Sequence, residues 1–152
     1  MSKKVWGPTI WILLHSICEL IKDEYFLTEK NNLVTQIKNI CYNLPCPTCT
    51  THAISILKNI KLENVETKSD LIHKIWVFHN IVNKNTKKPI SNIDILTQYK
   101  RARLDNILYK VKTIYKSSFL SSKYIMYKFH GQKAFYEFLK YMHYNKHKFI
   151  FI

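Results

Sequence analysis

The sequence predicts an all-α protein, and three observations support this fold class. Apolar residues recur at spacings of three and four along most of the chain, as they do on one face of a helix. Almost no stretch alternates apolar and polar residues, which is the pattern of a half-buried strand. The chain of 152 residues has only two glycines, Gly7 and Gly131, which argues against glycine-rich phosphate loops and β-meanders.

The first two helices are predicted from apolar spacing and from prolines. A first helix is expected over residues 5–22, and Pro8 suits its first turn. Its face of three- and four-residue spacings carries Trp11, Leu14, His15 and Cys18. A second helix is expected over 29–43, with Thr28 as its cap. Leu44 precedes a proline and is therefore expected to end this helix.

Three further helices are expected in the middle of the chain. One begins at the segment Cys46-Pro47-Thr48-Cys49 and runs to about Asn59. The next is capped by Ser69 and Asp70 and ends near a polar loop. It carries Ile72, Ile75, Trp76, His79, Val82 and Asn83. A fifth helix starts after Ser91 or Asn92 and extends through Ile95, Tyr99 and Ile107.

The C-terminal part of the chain changes in composition, so we predict a catalytic domain over residues 1–112 and a basic, aromatic-rich extension over 113–152. From about Tyr115 the chain has twelve of its twenty-one aromatic residues and seven lysines against one acid. A break is expected at Ser117, Ser118, Ser121 and Ser122. Apolar spacing predicts one more helix over 133–144. We expect the aromatics of this extension to serve packing or dimer contacts rather than base stacking.

The charge is strongly positive, at +14, with 24 basic and 10 acidic residues. Such a charge attracts polyanions, so nucleic acid or an anionic lipid surface is a candidate partner of the basic tail. Lysine, asparagine and isoleucine are abundant together, and a bias toward A/T-rich codons explains the charge equally well. A basic adaptor protein with a structural cysteine pair is therefore kept as the alternative function.

The four cysteines and the absence of a targeting pattern predict a cytoplasmic protein. No basic, apolar and small-residue sequence of a signal peptide opens the chain, and no stretch approaches the roughly 20 apolar residues of a membrane span. Four cysteines are too few for a secreted disulfide scaffold of this size, and close pairs in a reducing compartment indicate redox or metal chemistry.

Cys46 and Cys49 form a Cys-x-x-Cys pair at a predicted helix start. Amide groups and the dipole at a helix N-terminus stabilise a thiolate, and this spacing allows the two sulfurs to close a disulfide. Half of a zinc site with His52 and His79 is an alternative, although no second pair completes it, and we expect no metal. A thioredoxin-like protein is a further alternative, but that fold requires strands around the pair.

Three segments together resemble a known family. In chain order they are Trp6-Gly7 with Trp11, Leu14 and His15; Leu44-Pro45-Cys46-Pro47-Thr48-Cys49; and His79-Asn80-Ile81-Val82-Asn83 with Lys88-Pro89. In order and spacing they are similar to the Erv/ALR family of FAD-linked sulfhydryl oxidases. Each segment alone is weak, but their combination is highly specific and covers roughly residues 5–100. The chain looks most like the minimal single-domain versions from large cytoplasmic DNA viruses.

The resemblance implies a four-helix bundle that cradles FAD, a short fifth helix and a homodimer. It also implies an oxidase that forms disulfide bonds in partner proteins and passes the electrons through FAD to O2, giving H2O2. Cys46 would then exchange with the substrate, and Cys49 would lie against the flavin. The other residues that it implies for FAD binding are Gly7, Trp11, His15, His79, Asn80, Val82, Asn83, Lys88 and Tyr99. Among them, Lys88 would face the pyrophosphate and Tyr99 would lie near the adenine.

The chain also departs from the family pattern. Leu44 stands where the family often has tyrosine, so any contact by that hydroxyl is lost. Many relatives have a second Cys-x-x-Cys on a terminal arm, and this chain has none, which implies a separate thiol-bearing shuttle protein that serves the client proteins. Cys18 and Cys41 have no directly neighbouring cysteine in the sequence and are expected to be small buried apolar residues.

Overall fold

The computed structural model describes residues 2–117 and 125–151, and in these residues the protein consists of helices joined by short connections. The α-helices are α1 (Lys3–Leu20), α2 (Asp23–Cys41), α3 (Pro47–Ile60), α4 (Lys68–Asn85), α5 (Leu104–Ser117) and α6 (Ile125–Tyr144). Short 3-10 helices cover Leu62–Asn64, Ile93–Arg101 and Lys146–Lys148. The predicted all-α fold class is confirmed.

Helix α1 is the central element of the fold. It packs against α4, α5 and the 3-10 helix Ile93–Arg101, while α2 packs against α3 and α6. Leu13, Ile17 and Cys18 of α1 are completely buried. Burying a leucine or isoleucine side chain contributes about 1.5–3 kcal/mol, so α1 contributes strongly to the core. The predicted bundle thus corresponds to α1–α4, with α5 and α6 added on the side of α1 and α2.

The second helix begins six residues earlier than the predicted start at residue 29. The chain leaves α1 at Ile21 in an extended conformation (φ −63°, ψ 132°) and re-enters a helix at Asp23. Asp23 and Glu24 lie in the first turn of α2, where carboxylates interact favourably with the helix dipole. The prediction that Thr28 caps α2 is wrong, because Thr28 is inside the helix and donates its hydroxyl to the Tyr25 carbonyl.

The predicted third and fourth helices are both present, but the cap of the fourth differs. Helix α3 covers Pro47–Ile60, close to the predicted range. In α4 the cap is Thr67, whose hydroxyl accepts a hydrogen bond from the Asp70 amide at 3.1 Å. The Asp70 carboxylate in turn accepts from the Thr67 amide at 3.3 Å, which completes a capping box. Ser69 lies inside the first turn, so the prediction that it caps α4 is wrong.

The predicted fifth helix is divided into two elements. Residues Ile93–Arg101 form a 3-10 helix, Ala102 is extended (φ −69°, ψ 143°), and α5 begins at Leu104. Tyr99 is buried and its ring stacks on His15 of α1, with centroids 4.7 Å apart. Leu104 is fully buried in the core. The break at Ala102 allows both side chains to reach α1, so tertiary packing overrides the apolar spacing.

Helix α6 extends the predicted helix 133–144 by eight residues toward the N-terminus. Ser117 ends α5, and the other serines of the predicted break lie outside the described residues. The predicted domain boundary at residue 112 falls within α5. Gly131 lies where α6 approaches the bundle closely, because a Cβ there would be 3.1 Å from both the Asn43 carbonyl oxygen and the Tyr115 ring.

The C-terminal segment returns to the junction of α1 and α2. Phe149 forms an isolated antiparallel bridge with Ile21, and the Lys148 carbonyl accepts from the Lys22 amide at 2.9 Å. The buried Glu29 carboxylate accepts from the Lys148 ammonium at 2.5 Å and from the Tyr141 hydroxyl at 2.9 Å. The extension is therefore tied to the bundle by an ion pair as well as by apolar packing.

Several aromatic residues of the extension belong to the core. Tyr115 and Phe135 are buried and stack with centroids 5.0 Å apart at an interplanar angle of 4°. Phe138 and Phe149 are also buried in the cluster that includes α1 and α2. These contacts agree with the expectation that the aromatics serve packing. Within residues 2–117 and 125–151, no helix is both long enough and apolar enough to span a membrane.

Candidate redox site

The cysteine pair lies in the first turn of α3. Cys46 is the N-cap in an extended conformation (φ −146°, ψ 118°). Pro47 occupies the first turn, where a backbone N–H would have no partner within the helix, so its missing N–H costs no hydrogen bond. The Cys46 sulfur accepts a hydrogen bond from the Cys49 amide at 3.2 Å. Thr50 fixes the preceding loop, because its hydroxyl accepts from the Leu44 amide at 3.2 Å. Both cysteines are present as thiols.

Burial has the largest effect on the pKa of Cys49, the second cysteine of the pair. It raises the pKa of Cys49 to about 12, together with the hydrogen bond and the charge of Cys46, while the charge of Lys3 acts in the opposite direction. Burial and the neighbouring Cys46 therefore oppose the thiolate form of Cys49 in the reduced protein. Burial also raises the pKa of Cys41 to about 12 and that of Cys18 above its usual range.

A cavity of about 120 Å³ lies between the N-terminal turns of α1 and α3 and the C-terminal turn of α4. Cys49 lines this cavity, and Cys46 does not. Most of the wall is apolar, and its polar atoms include those of Lys3, His52 and Lys88. The lining residues are Lys3, Trp6, Gly7, Pro8, Ile10, Trp11, Leu14, Cys41, Leu44, Cys49, His52, Ala53, Phe78, Val82, Asn83, Thr86 and Lys88.

Trp11 forms a wall shared by this cavity and a second groove of about 410 Å³. The second groove is lined by Pro8, Trp11, Ile12, His79, Gln98, Tyr99 and Ala102. The Trp11 and His79 rings stack with centroids 4.0 Å apart and an interplanar angle of 8°. The two spaces together therefore provide an apolar chamber next to Cys49 and an aromatic groove behind it.

His15 and His79 form a neutral pair that connects α1 to α4. His15 Nε2 and His79 Nδ1 are 3.0 Å apart, so one ring donates and the other accepts. Burial and the charge of His79 lower the pKa of His15 to about 3. Burial and the charge of Lys88 lower the pKa of His79 to about 4. Both rings are uncharged at neutral pH, which suits an aromatic surface rather than an acid or a cation.

A sequence model of the Erv1 / Alr family matches residues 8–105, which include α3, α4 and most of α1. The chain belongs to the Erv1 / Alr family. The family resemblance predicted from the sequence segments is thus confirmed.

Three viral relatives, all named putative FAD-linked sulfhydryl oxidases, are similar to this Erv1 / Alr member. Protein 347L of Invertebrate iridescent virus 6 is 29% identical over 92 residues, which are 57% of this chain and 83% of the relative. Protein 096R of Invertebrate iridescent virus 3 is 30% identical over 59% of this chain, and 088R of Frog virus 3 (isolate Goorha) is 26% identical over 55%. The matches span 61% and 58% of these last two relatives. No solved structure matches the chain.

The structure distributes the predicted FAD-binding residues of this Erv1 / Alr chain over four places. The cavity is lined by Gly7, Trp11, Cys49, Val82, Asn83 and Lys88. The second groove is lined by Trp11, His79 and Tyr99. His15 lines neither space and instead contacts His79 and Tyr99 from behind. Leu44, the departure from the family's tyrosine, lies in the cavity wall.

Asn80 holds a loop rather than lining either space. Its Oδ1 accepts from the Ser91 amide and hydroxyl, both at 3.0 Å, and its Nδ2 donates to the Ser91 carbonyl at 3.1 Å. The Asn83 side chain donates to the same Oδ1 at 3.4 Å. Because the loop from Thr86 to Ser91 contains Lys88, Asn80 acts on the cavity wall through the backbone.

Sequence reasoning did not assign several cavity-wall residues to the site, among them Lys3, His52, Phe78 and Thr86. For two of them, the helical spacing from a predicted site residue could have indicated a place in the site. Phe78 stands four residues before Val82 on α4, and His52 follows Cys49 by one turn of α3. His52 had been considered only as a possible zinc ligand. Within the described part of the chain, no group of three or more histidine, cysteine or acidic side chains could hold a metal ion.

Proposed function

We propose that this chain is an FAD-dependent thiol oxidase that forms disulfide bonds in partner proteins. The observation that carries the proposal is the position of the cysteine pair. Cys49 opens into a cavity with apolar and aromatic walls, while Cys46 lies outside this cavity and keeps its sulfur next to the Cys49 amide. The names of the viral relatives and the family membership support the same activity.

The residues of the two spaces fit FAD. A flavin ring requires an apolar site with aromatic walls, and Trp11, Phe78 and Val82 provide apolar and aromatic wall next to Cys49. The wall remains open at Gly7, because a Cβ there would have a single near neighbour, the Lys3 side chain at 3.7 Å. Lys3 and Lys88 supply the cations that a pyrophosphate requires. His79 and Tyr99 give the second groove aromatic surface for an adenine.

The cysteine pair performs the first half of the reaction. In the oxidised pair, a substrate thiolate attacks the Cys46 sulfur, the Cys46–Cys49 bond breaks, and Cys49 leaves as the thiolate. A second substrate thiolate then attacks the mixed disulfide, which releases the oxidised substrate and the Cys46 thiol. Two substrate thiols have become one disulfide, and two electrons remain on the pair. FAD, when bound, accepts these electrons and transfers them to O2, giving H2O2.

The residues around Cys49 favour attack at Cys46 and protect the inner sulfur. Cys49 faces the cavity, so a protein substrate meets Cys46 first. The positive charge of Lys3 favours the Cys49 thiolate at the moment when this sulfur leaves. Because both rings of the histidine pair are neutral, the positive charge offered to an anionic group here comes from Lys3 and Lys88.

The partners belong to the same proposal. A separate thiol-bearing shuttle protein delivers electrons to Cys46 from the client proteins, since this chain has no second Cys-x-x-Cys. The active form is a homodimer in the cytoplasm of the host, and residues 1–112 form the oxidase domain with 113–152 as its extension. Light scattering of the purified protein tests the dimer, because a monomeric mass with full activity would contradict it.

The test of the function is a pair of measurements on purified protein. We expect the visible absorbance of bound flavin after desalting, and oxygen consumption with dithiothreitol as the dithiol. Cys49→Ser should lower turnover by ~10³-fold or more, because the variant loses the redox-active sulfur. It should retain bound FAD, because serine is close to cysteine in size and keeps this part of the cavity wall. Cys18→Ala is the matched control, since it removes a buried thiol outside the cavity. Folded protein that binds no FAD, or turnover that survives in Cys49→Ser, would contradict the proposal.

A further inference from the structure

The chain segments that line the cavity next to the cysteine pair contain no acidic residues. The acidic residues of the chain are Glu19, Asp23, Glu24, Glu29, Glu63, Glu66, Asp70, Asp94, Asp105 and Glu137. No acid occurs in residues 1–18, 30–62 or 71–93, which contain most of α1, the start of α3 and the end of α4. A codon bias toward lysine would add basic residues everywhere, but it would not remove acids from the segments that line one cavity.

The elements that meet at this cavity place lysines in its wall. Lys3 in the first turn of α1 and Lys88 after α4 line the same cavity as Cys49. The cavity and the second groove together have no acidic residue in their walls. The charge of Lys3 reaches Cys49, and the charge of Lys88 reaches His79. These two lysines are adjacent to the FAD-binding residues and suffice for the two charges of a pyrophosphate.

Three more lysines are sequence neighbours of cavity-lining residues without lining the cavity themselves, and we call them the outer lysines: Lys4, Lys84 and Lys87. Lys4 follows Lys3, Lys84 is in the last turn of α4, and Lys87 lies between two cavity residues. All three are exposed, and in the described residues none takes part in an ion pair. The loop that holds Lys87 is ordered by the Lys88 amide, which donates to the Asn83 carbonyl at 2.8 Å.

We propose that the outer lysines form a docking surface for a thiol-bearing protein whose cysteine pair is flanked by aspartate and glutamate. The inference rests on the proposed function, because it names the class of substrate that meets Cys46. Opposite charges at this surface raise the encounter rate and orient the partner before thiol exchange begins. Partners with basic residues next to their cysteines are repelled, so the surface also selects among thiols.

Two features favour an acidic protein over nucleic acid as the occupant. Apolar side chains stand among the lysines: Val5 beside Lys4 is 54% exposed, and Ile90 near Lys88 is 58% exposed. Such residues suit the mixed apolar and charged surface of a protein partner rather than a phosphate backbone. The two arginines, Arg101 and Arg103, line neither the cavity nor the second groove, although arginine is the preferred residue for bidentate phosphate contacts. A nucleic acid, moreover, has no thiol to present to Cys46.

The test uses the purified FAD-loaded chain and three dithiols. Two are synthetic peptides with the same Cys-Gly-Gly-Cys centre, flanked by glutamates in one and by lysines in the other; dithiothreitol is the uncharged third. At low salt we expect kcat/KM for the acidic peptide to exceed that for the basic peptide by about five- to twentyfold. Raising the ionic strength to about 0.2 M should remove most of this preference, since the Debye length then falls below about 8 Å.

Variants assign the preference to the outer lysines. Lys84→Gln/Lys87→Gln should lower kcat/KM for the acidic peptide by about three- to tenfold at low salt and leave dithiothreitol oxidation unchanged. The matched control, Lys58→Gln/Lys140→Gln, removes two exposed lysines on the last turn of α3 and on α6. Because its change in net charge is the same, an equal loss in this control would overturn the proposal, as would equal kcat/KM for the two peptides in the unmodified chain.

Two further outcomes separate this inference from its alternatives. If the unmodified chain does not oxidise dithiothreitol, the proposed function itself fails; if it does but shows no charge preference, only the docking surface is wrong. Fluorescence anisotropy compares a labelled acidic peptide in which serine replaces cysteine with a labelled DNA duplex. Tighter binding of the duplex, lost in Lys84→Gln/Lys87→Gln and kept in the control, would assign the outer lysines to nucleic acid and overturn the proposal.

Discussion

Replacing Asn80 by alanine tests whether this side chain holds the cavity wall indirectly. The substitution removes three hydrogen bonds to Ser91, with lengths of 3.0, 3.0 and 3.1 Å. Each contributes about 1 kcal/mol net, and the half-buried Ser91 groups regain part of this from water, so we expect a loss of about 2–3 kcal/mol. For a chain of this size the unfolding temperature should fall by roughly 4–12 °C.

The same substitution should weaken FAD binding, because the loop that Asn80 holds contains Thr86 and Lys88 of the cavity wall. Thermal unfolding without added FAD measures the stability, and flavin fluorescence during titration measures the affinity. Asn80→Asp keeps the acceptor for the Ser91 amide and hydroxyl but places a carboxylate against the Ser91 carbonyl, so an intermediate loss is expected. Asn85→Ala, at the exposed end of α4, is the control.

The result that would refute the reasoning is a clear separation of the two measurements. If Asn80→Ala lost FAD affinity and kept the unfolding temperature of the unmodified chain, the loop would not be the route, and Asn80 would act on the cofactor directly, as the family resemblance predicts, or through Asn83. If both quantities stayed unchanged, the three hydrogen bonds to Ser91 would contribute nothing, and the loop would depend on other contacts.

Two other predictions concern ionisable groups. Because the folded pKa values of His15 and His79, about 3 and about 4, are lower than the unfolded value of 6.5, stability should fall as the pH decreases from 6.5 toward 4. Urea unfolding at several pH values measures this, and His79→Gln should flatten the dependence; an unchanged slope would contradict the neutral pair. Glu29→Gln should reduce the free energy of unfolding by roughly 1–3 kcal/mol, because Lys148 loses its charged partner. The exposed Glu137→Gln is its control and should change stability by less than about 0.5 kcal/mol, and equal effects would show that the ion pair is not needed.

The motif residues of the candidate site were predictable because helical spacing is a local property. Once α3 starts at Pro47, Cys49 and Ala53 must share a face, and on α4 the same rule joins His79 to Asn83. Lys3 was not predictable in this way. Its approach to Cys49 depends on how the first turn of α1 meets the start of α3, which no local pattern encodes.

Some local signals were real but were overridden by packing or by competing caps. The apolar spacing from Ile95 to Ile107 is helical, yet the chain is extended at Ala102 so that Tyr99 stacks on His15. Thr28 is an acceptable cap, but Asp23 provides an earlier start with favourable charge at the helix N-terminus. In both cases the local sequence allows more than one structure. Packing selects the break at Ala102, and the competing start at Asp23 selects the beginning of α2.

By itself, the amino-acid sequence determined the all-α class, the location of the cysteine pair at a helix start and the family, since these depend on residue types at short, regular spacings. Only the tertiary structure decided that Cys49 faces the cavity, that its pKa rises, and that Asn80 holds a loop instead of lining the site. Burial and hydrogen-bond partners arise from elements far apart in the chain. The physical reason is therefore that desolvation and contact geometry are properties of the assembled helices, whereas spacing is a property of each helix alone.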